Sequence, residues 1–218
     1  MRRWRAAVLA VCTALLLSGC SAGLSDSGQP LTIEQADTLA QVRFRLAAGG
    51  DAVVALTAGK TDSVDHVSAT LTVDFDDGIA WGEVKRGPEG IAVTEHLAFN
   101  PKVCLVEKDG VWQQESSPSP IMAVVFGMGA DRPENSTLLR QSDARYLGQA
   151  DDDGVELQVF RSPSVDGQKA RTRLWVDEHG ALRRLDAGDD DALVIRPTGA
   201  KPAARIPAVD QAFGAHGD

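Results

Sequence analysis

Cysteine is scarce in this chain of 218 residues, which has three, at positions 12, 20 and 104. The first lies in an N-terminal segment that we expect to be removed, and the second has a predicted modification described below. Cys104 is then the one thiol left, so an internal disulfide is excluded. The fold must therefore be held by its apolar core.

Aromatic residues are also few, at 5% of the chain. A sheet packed with few large rings can leave its inner side underfilled, and apolar voids stay dry and accept apolar guests. The low aromatic content is therefore consistent with a hydrophobic ligand, although a well-packed core gives the same sequence pattern.

Basic residues are outnumbered, with 22 Lys and Arg against 31 Asp and Glu and a net charge of −9. The first 19 residues contain three of the arginines, so the chain without them is more acidic, near −12. This charge argues against nucleic acid as a partner and against a polybasic attraction to anionic lipid.

One long apolar run is present, at residues 6–17, behind Arg2, Arg3 and Arg5. Its length is typical of the core of a signal peptide and is too short to span a bilayer. The sequence Leu17-Ser18-Gly19-Cys20 closes this segment and resembles a bacterial lipobox, in which the cysteine receives a lipid and becomes the new N-terminus.

We therefore predict a signal peptide at residues 1–19, lipidation of Cys20, and a location at the extracytoplasmic face of the cell membrane. The alternative is an ordinary secretory signal, with Cys20 unmodified. A cysteine that carries two or more acyl chains is held firmly by a membrane. Residues 20–30 are small and polar and predict a flexible tether, and residues 31–218 predict a single domain.

The remaining chain predicts one amphipathic helix followed by many short strands. Thr32 and Gln35 fit a capping box, after which apolar residues recur at helical spacing: Ile33, Ala36, Leu39, Ala40, Phe44 and Ala47. From residue 52 onward the apolar period changes to two, and Asp-Gly or His-Gly turns separate the runs. An antiparallel meander with one polar face is expected.

An apolar segment at residues 121–129, between the two halves of the meander, permits three interpretations. It is a short buried helix, a movable apolar wall over a cavity, or a segment that dips into a membrane. Its methionines and glycines suit adaptable apolar contacts. The sequence leaves these three alternatives open.

The order of these elements resembles the LolA-like periplasmic carriers, and more closely the actinobacterial lipoproteins of the LppX/LprG group. The resemblance is carried by residues 31–50, 131–133, 138–148 and 172–185, the last with the sequence TRLWVDEHGALRRL. It implies an α+β fold in which a curved antiparallel sheet, a half-barrel, wraps around a few helices. It also implies an apolar cavity that accepts acyl chains of lipids or lipoproteins.

The group has no ligand residues that can be assigned by motif, so pocket residues are predicted from the apolar pattern alone. They are Leu39, Phe44, Leu71, Val73, Met122, Val125 and Phe126. No cofactor or metal is expected, because the aspartate clusters at 74–77, 151–153 and 189–191 do not fit a calcium loop.

The sequence contains none of the motifs that are typical of nucleophilic or metal-dependent hydrolases. Two hypotheses remain, neither of them enzymatic. The first is a membrane-anchored protein that binds or carries a lipid or other hydrophobic ligand between sheet and helices. The second is a cell-surface interaction or sensor module with a solid core; a hydrolase that uses His96 is a distant third.

Overall fold

The structure, a computed structural model, describes residues 24–25, 27–115, 120–164, 172–188 and 193–213. Four helices lie in these ranges: α1 (Ile33–Ala48), α2 (Pro120–Phe126), α3 (Ser136–Gln141) and α4 (Pro207–Phe213). Eleven strands lie in the same ranges: β1 (Asp51–Ala58), β2 (Val67–Asp74), β3 (Ile79–Arg86), β4 (Val93–Phe99), β5 (Cys104–Lys108), β6 (Val111–Glu115), β7 (Arg145–Asp152), β8 (Val155–Arg161), β9 (Arg173–Val176), β10 (Leu182–Ala187) and β11 (Leu193–Pro197).

The strands of the described ranges form one antiparallel sheet in the order β6-β5-β4-β3-β2-β1-β11-β10-β9-β8-β7. Two meanders meet where β1 pairs with β11, for example at Leu56 opposite Ile195. The edges are β6 and β7, so the sheet is open. The predicted α+β class, with a large antiparallel sheet around a few helices, is confirmed.

Asp-Gly turns form two of the predicted hairpins. Asp109 has φ 53° and Gly110 has φ 77°, while Asp153 has φ 56° and Gly154 has φ 81°. Positive φ at both central residues is the geometry whose twist matches that of the flanking strands. These short turns fix the register of β5–β6 and β7–β8.

One face of the sheet, which we call the inner face, carries the main apolar core. Residues of α1 and α2 belong to the same buried cluster as this face. Strand alternation decides which side chains enter it: Leu71 and Val73 are buried in this core, whereas Thr72 between them lies on the opposite, outer face. The largest fully buried side chains in this core include Phe99 and Phe160.

Helix α1 begins as predicted, but its buried face differs. The backbone N–H of Gln35 donates to Thr32 Oγ1 at 3.2 Å, and the Thr32 N–H donates to Gln35 Oε1 at 3.0 Å, which completes the capping box. Ile33 is 56% exposed, however, and Val42 is fully buried. Helix α1 packs against both α3 and the sheet. These two neighbours together determine which side of α1 is covered.

The outer face is less polar than the alternation predicts. At β3 and β4 it carries an apolar cluster formed with the C-terminal segment: Ile79, Trp81, Ala98, Trp112, Ile206, Val209 and Phe213. Arg205 holds this segment in place through ion pairs with Asp74 and Asp77, and its guanidinium lies 5.6 Å from the centroid of the Trp81 ring. The C-terminal segment thus contains α4 and covers part of the sheet.

A second outer-face cluster involves the N-terminal segment: Leu24, Leu147, Ala150, Leu157, Val159 and Trp175. The Ser25 N–H donates to the Leu147 carbonyl at 2.9 Å, and Gln29 and Tyr146 exchange backbone hydrogen bonds of 2.7 and 2.9 Å. This part of the predicted tether is therefore attached to the edge strand β7. Residues 20–23 and 26, together with the predicted signal peptide, lie outside the described residues.

Candidate ligand-binding site on the inner face

Most of the residues predicted to line a pocket come together in the inner core. Six of the seven belong to it: Leu39, Leu71, Val73, Met122, Val125 and Phe126. All six are buried except Phe126, which is partly buried. The seventh residue, Phe44, is partly buried but does not belong to this cluster, because α1 is turned toward Val42.

Helix α2 is short and composed of proline and apolar residues only, with the sequence PIMAVVF. A helix of this length is not stable by itself, so packing must hold it. Val125 is completely buried in the core. The Phe126 ring packs edge-on against the Phe99 ring, with the ring centroids 5.7 Å apart and an angle of 77° between the ring planes. Ala123, on the opposite side of the helix, is exposed. One side of α2 therefore closes the core while the other faces solvent.

The segment after α2 passes tightly between α1 and β2. A Cβ atom on Gly129 would lie 2.5 Å from Cδ1 of Phe75 and 3.2 Å from Cβ of Ala47. Just beyond, the Ala130 N–H donates to the Arg43 carbonyl at 3.2 Å. Only glycine fits this passage, and the backbone that follows it is fixed to α1. The chain just beyond the C-terminal end of α2 is thus held against α1.

Phe75 and Phe99 were not among the predicted pocket residues, although both contribute to the inner core. Both occupy inward positions of alternating strand patterns, so the same period that selected Leu71 and Val73 could have found them. Met128, fully buried at the end of the α2 segment, was also missed.

Among the surface grooves of the described part of the chain, one of about 990 Å³ lies between residues 130–135 and α3. Two others, of about 500 Å³ each, lie between α1 and the β9–β10 turn and between the outer face and residues 200–206. None of the seven predicted pocket residues lines any of these three grooves. Six of these residues are instead packed in the inner core, which side chains of α2 help to fill.

The chemistry of Cys104 does not favour nucleophilic catalysis. Burial, followed by the charge of Glu115, raises the pKa of the Cys104 thiol to about 11. The thiolate is the reactive form, and at neutral pH it is almost absent here. Cys104 is a core thiol, with its Sγ 3.8 Å from Glu115 Oε2.

Aspartates of the two clusters that the structure describes, at 74–77 and 151–153, form ion pairs with arginines. Asp74 and Asp77 pair with Arg205, and Asp152 pairs with Arg196. The cluster at 189–191 lies outside the described residues. Across the described ranges, no group of three or more metal-ligating side chains is found.

The three described histidines, at 66, 96 and 179, have different partners. His96 Nδ1 is 3.0 Å from Glu107 Oε2, whereas the neighbouring Glu95 pairs with Arg86, so His96 and Glu95 face opposite sides of β4, as strand alternation requires. His66 is buried, with its Nδ1 3.3 Å from the Gly59 carbonyl. Among the helices of the described residues, none has the length and apolar character required to cross a membrane.

The fold and the site define the class of the protein as an open antiparallel sheet whose inner apolar face is closed by helices. No protein-family model matches the chain, and no curated protein matches it.

Among solved structures, the chain is similar to LprF from Mycobacterium bovis, at 15% identity and a TM-score of 0.49 over 83% of this chain and 99% of that one. It is also similar to the lipoprotein LppX from Mycobacterium tuberculosis, at 19% identity and a TM-score of 0.42 over 75% of this chain and 93% of that one. A LolA superfamily protein from Nitrosomonas europaea is similar at 10% identity and a TM-score of 0.32, over 83% of this chain and 97% of that one. These neighbours include the LppX lipoprotein and a LolA superfamily protein, which bear the names of the groups that the sequence resembles. The likeness is one of fold, and nothing about the ligand follows from it.

Proposed function

We propose that this chain is an extracytoplasmic lipoprotein, anchored through lipid on Cys20, that binds the apolar part of a lipid or another hydrophobic ligand. The ligand would lie between the inner face of the sheet and α2. The anchor is supported by the apolar run and lipobox of the first 20 residues. No catalytic role is part of this proposal.

One observation carries the proposal. The inner face is closed by a seven-residue apolar helix whose C-terminal side is fixed at Gly129 and whose core contacts are apolar side chains. Apolar packing is not directional, so another apolar group of similar volume can replace it. An acyl chain is such a group.

The energies of this exchange are comparable. Burying a chain of about twelve methylenes contributes roughly 10 kcal/mol at about 0.8 kcal/mol each. Uncovering Met122, Val125 and Phe126 costs roughly 5–9 kcal/mol at about 1.5–3 kcal/mol per side chain. The two burial terms are therefore of similar size for an acyl chain, whereas the burial term of a short or polar molecule is much smaller than the cost of uncovering α2.

The alternative is a surface interaction or sensor module with a solid core. It is favoured by the complete burial of Val125 and the near-complete burial of Met122. In that case α2 is a permanent part of the core, and the outer face or a sheet edge binds a partner protein.

The experiment uses the chain from residue 20 with Cys20→Ser, since every contact described above lies within residues 24–213. Organic extraction and mass spectrometry would detect co-purified lipid, and titration with a dispersed fluorescent polyene fatty acid would measure uptake. We expect uptake by the parent and loss of uptake in Val125→Asp, because an unpaired carboxylate beside an acyl chain is strongly unfavourable.

Ala123→Asp is the matched control, because it places the same charge on the exposed side of the same helix. It should bind like the parent, and far-UV circular dichroism of both variants should remain native. Unfolding of Val125→Asp would show that α2 is permanent core. If the parent neither carries nor takes up lipid, the solid-core alternative is correct.

A further inference from the structure

The two edge strands of the sheet differ in how their outward backbone groups are satisfied. At β7 the N-terminal segment covers the edge: the Ser25 N–H donates to the Leu147 carbonyl, and Gln29 exchanges backbone hydrogen bonds with Tyr146. The register of β7 with β8 also shifts between Tyr146 and Gly148. A covering segment and a bulge both hinder the pairing of a further strand with an edge.

Strand β6, at the other edge, has neither protection. Its register with β5 is regular from Cys104 opposite Glu115 to Lys108 opposite Val111. Among the residues that the structure describes, none outside the β5–β6 hairpin forms a hydrogen bond with the backbone of β6. Its sequence, VWQQE, has no lysine or proline, the residues that commonly protect an edge. Within the described ranges, β6 is therefore an open edge.

The hairpin turn determines which backbone groups of β6 point outward. The turn has two central residues, both with positive φ, and in such a turn the Lys108 carbonyl accepts a hydrogen bond from the Val111 N–H. Backbone groups alternate in direction along an antiparallel strand, so residues 111, 113 and 115 bond to β5. The N–H and C=O groups of Trp112 and Gln114 therefore point away from the sheet.

A second copy of β6 matches these outward groups. When two β6 strands pair antiparallel about a twofold axis at Gln113, Trp112 of each copy lies opposite Gln114 of the other. Each of these two pairs exchanges two N–H···O=C bonds, so four hydrogen bonds use every outward group of both strands. A register centred on Trp112 or on Gln114 satisfies only half of the groups. The backbone of β6 thus favours the register centred on Gln113.

The side chains of β6 are compatible with this register. The two Gln113 amides face each other across the axis, and an amide both donates and accepts hydrogen bonds. Val111, which is 58% exposed, lies opposite Glu115, the one charged residue of β6. The two Trp112 rings are diagonal neighbours on the outer face, within the reach of aromatic side chains. No like charges lie opposite each other, although the chain as a whole is acidic.

We propose that two copies of this chain join through their β6 strands, antiparallel and centred on Gln113, into one continuous sheet. The twofold axis of such a pair is perpendicular to the sheet, so both outer faces lie on the same side. Leu24 packs on the outer face, so the pair is compatible with two copies anchored at Cys20 in one membrane. Confinement to a membrane raises the effective concentration, which favours a small interface. The contact does not depend on a ligand in the inner core.

The test is sedimentation equilibrium of the chain from residue 20 with Cys20→Ser, between about 10 μM and 1 mM, because a short edge-to-edge interface is weak. We expect a monomer–dimer equilibrium. Gln113→Lys and Gln113→Glu should each dimerise about fivefold more weakly, since like charges meet at the axis. An equimolar mixture of the two variants should associate at least as well as the parent, because opposite charges are then paired.

Gln149→Lys and Gln149→Glu are the matched controls, since Gln149 is an exposed glutamine of the other edge strand. Alone or mixed, they should dimerise like the parent. Gln114→Pro removes an outward N–H and leaves the pairing with β5 intact. It should weaken dimerisation about tenfold or more, because two of the four hydrogen bonds are lost.

The register can be tested with Gln113→Cys. Residues opposite each other without mutual hydrogen bonds have Cα atoms about 4.5 Å apart, within the range of a disulfide. Mild oxidation should therefore cross-link Gln113→Cys, but not Gln149→Cys; Cys104 is buried. A chain that stays monomeric at about 1 mM would overturn the proposal, as would a mixture that fails to restore association or equal cross-linking of both cysteine variants. Fatty-acid uptake by Gln113→Lys should equal that of the parent, so failure of the proposed function is seen separately.

Discussion

The inner and outer faces of the sheet both bury apolar side chains, but they are closed in different ways. The inner face is one continuous cluster closed by α1 and α2. The outer face has two smaller clusters, one covered by the N-terminal segment and one by the C-terminal segment. Ion pairs of Arg205 with Asp74 and Asp77 hold the C-terminal cover and backbone hydrogen bonds to β7 hold the N-terminal one, whereas apolar packing holds α2. We expect an apolar ligand to exchange with the cover held by apolar packing rather than with the cover held by paired charges.

The largest effect is expected from Phe99→Ala on the inner face. Phe99 is 2% exposed and packs against Phe126, so truncation should lower the free energy of unfolding by about 3–5 kcal/mol. Urea unfolding measures this value. Val93→Ala, an exposed position of the same strand, should change it by less than about 0.5 kcal/mol. A loss below about 1 kcal/mol for Phe99→Ala would mean that the core around α2 is loosely packed.

A smaller effect is expected from Arg205→Gln on the outer face. Loss of its partly exposed ion pairs should lower the free energy of unfolding by about 1–2 kcal/mol. The C-terminal segment should loosen and expose Trp81, which shifts tryptophan emission to longer wavelength. The Ala203 N–H, which donates to Thr72 Oγ1 at 3.1 Å, should exchange faster with solvent. Lys201→Gln, exposed in the same segment, should change neither readout, and a shift in both variants would contradict this role of Arg205.

The smallest effect, about 1 kcal/mol, is a pH dependence on the outer face. The hydrogen bond from Arg196 lowers the pKa of the Asp152 carboxyl, against the effect of burial. The carboxylate therefore stabilises the fold above its unfolded pKa, near 3.8, and this contribution is lost as the pH falls through the lower folded value. Asp152→Asn should lower stability at pH 7 and lose less than the parent on acidification.

Asp153→Asn, in the exposed β7–β8 turn, is the control for this pH dependence. Asparagine tolerates the positive φ of that position, so its stability should follow the parent at every pH. Chemical unfolding at several pH values between about 3 and 7 measures both variants. A parallel pH profile for parent and Asp152→Asn would show that this ion pair contributes nothing.

Local signals in the sequence were sufficient for the capped start of α1 and for the Asp-Gly turns of two hairpins. Thr32 and Gln35 form the predicted capping box, and Asp109-Gly110 and Asp153-Gly154 form the predicted turns. Each of these depends on residues a few positions apart, so the pattern contains the physical cause. The pattern of apolar residues along the helices and strands also selected six of the seven predicted pocket residues that lie together in one core.

Contacts between distant segments were decided by the tertiary structure. The pairing of β1 with β11, the turned face of α1 that exposes Ile33, and the cover over Trp81 each depend on surfaces that exist only after the chain has folded. Charge behaves in the same way. The composition fixes an acidic chain, but only the sheet register brings Arg145, Arg161 and Arg173 side by side, because electrostatic fields depend on distance in space rather than along the chain.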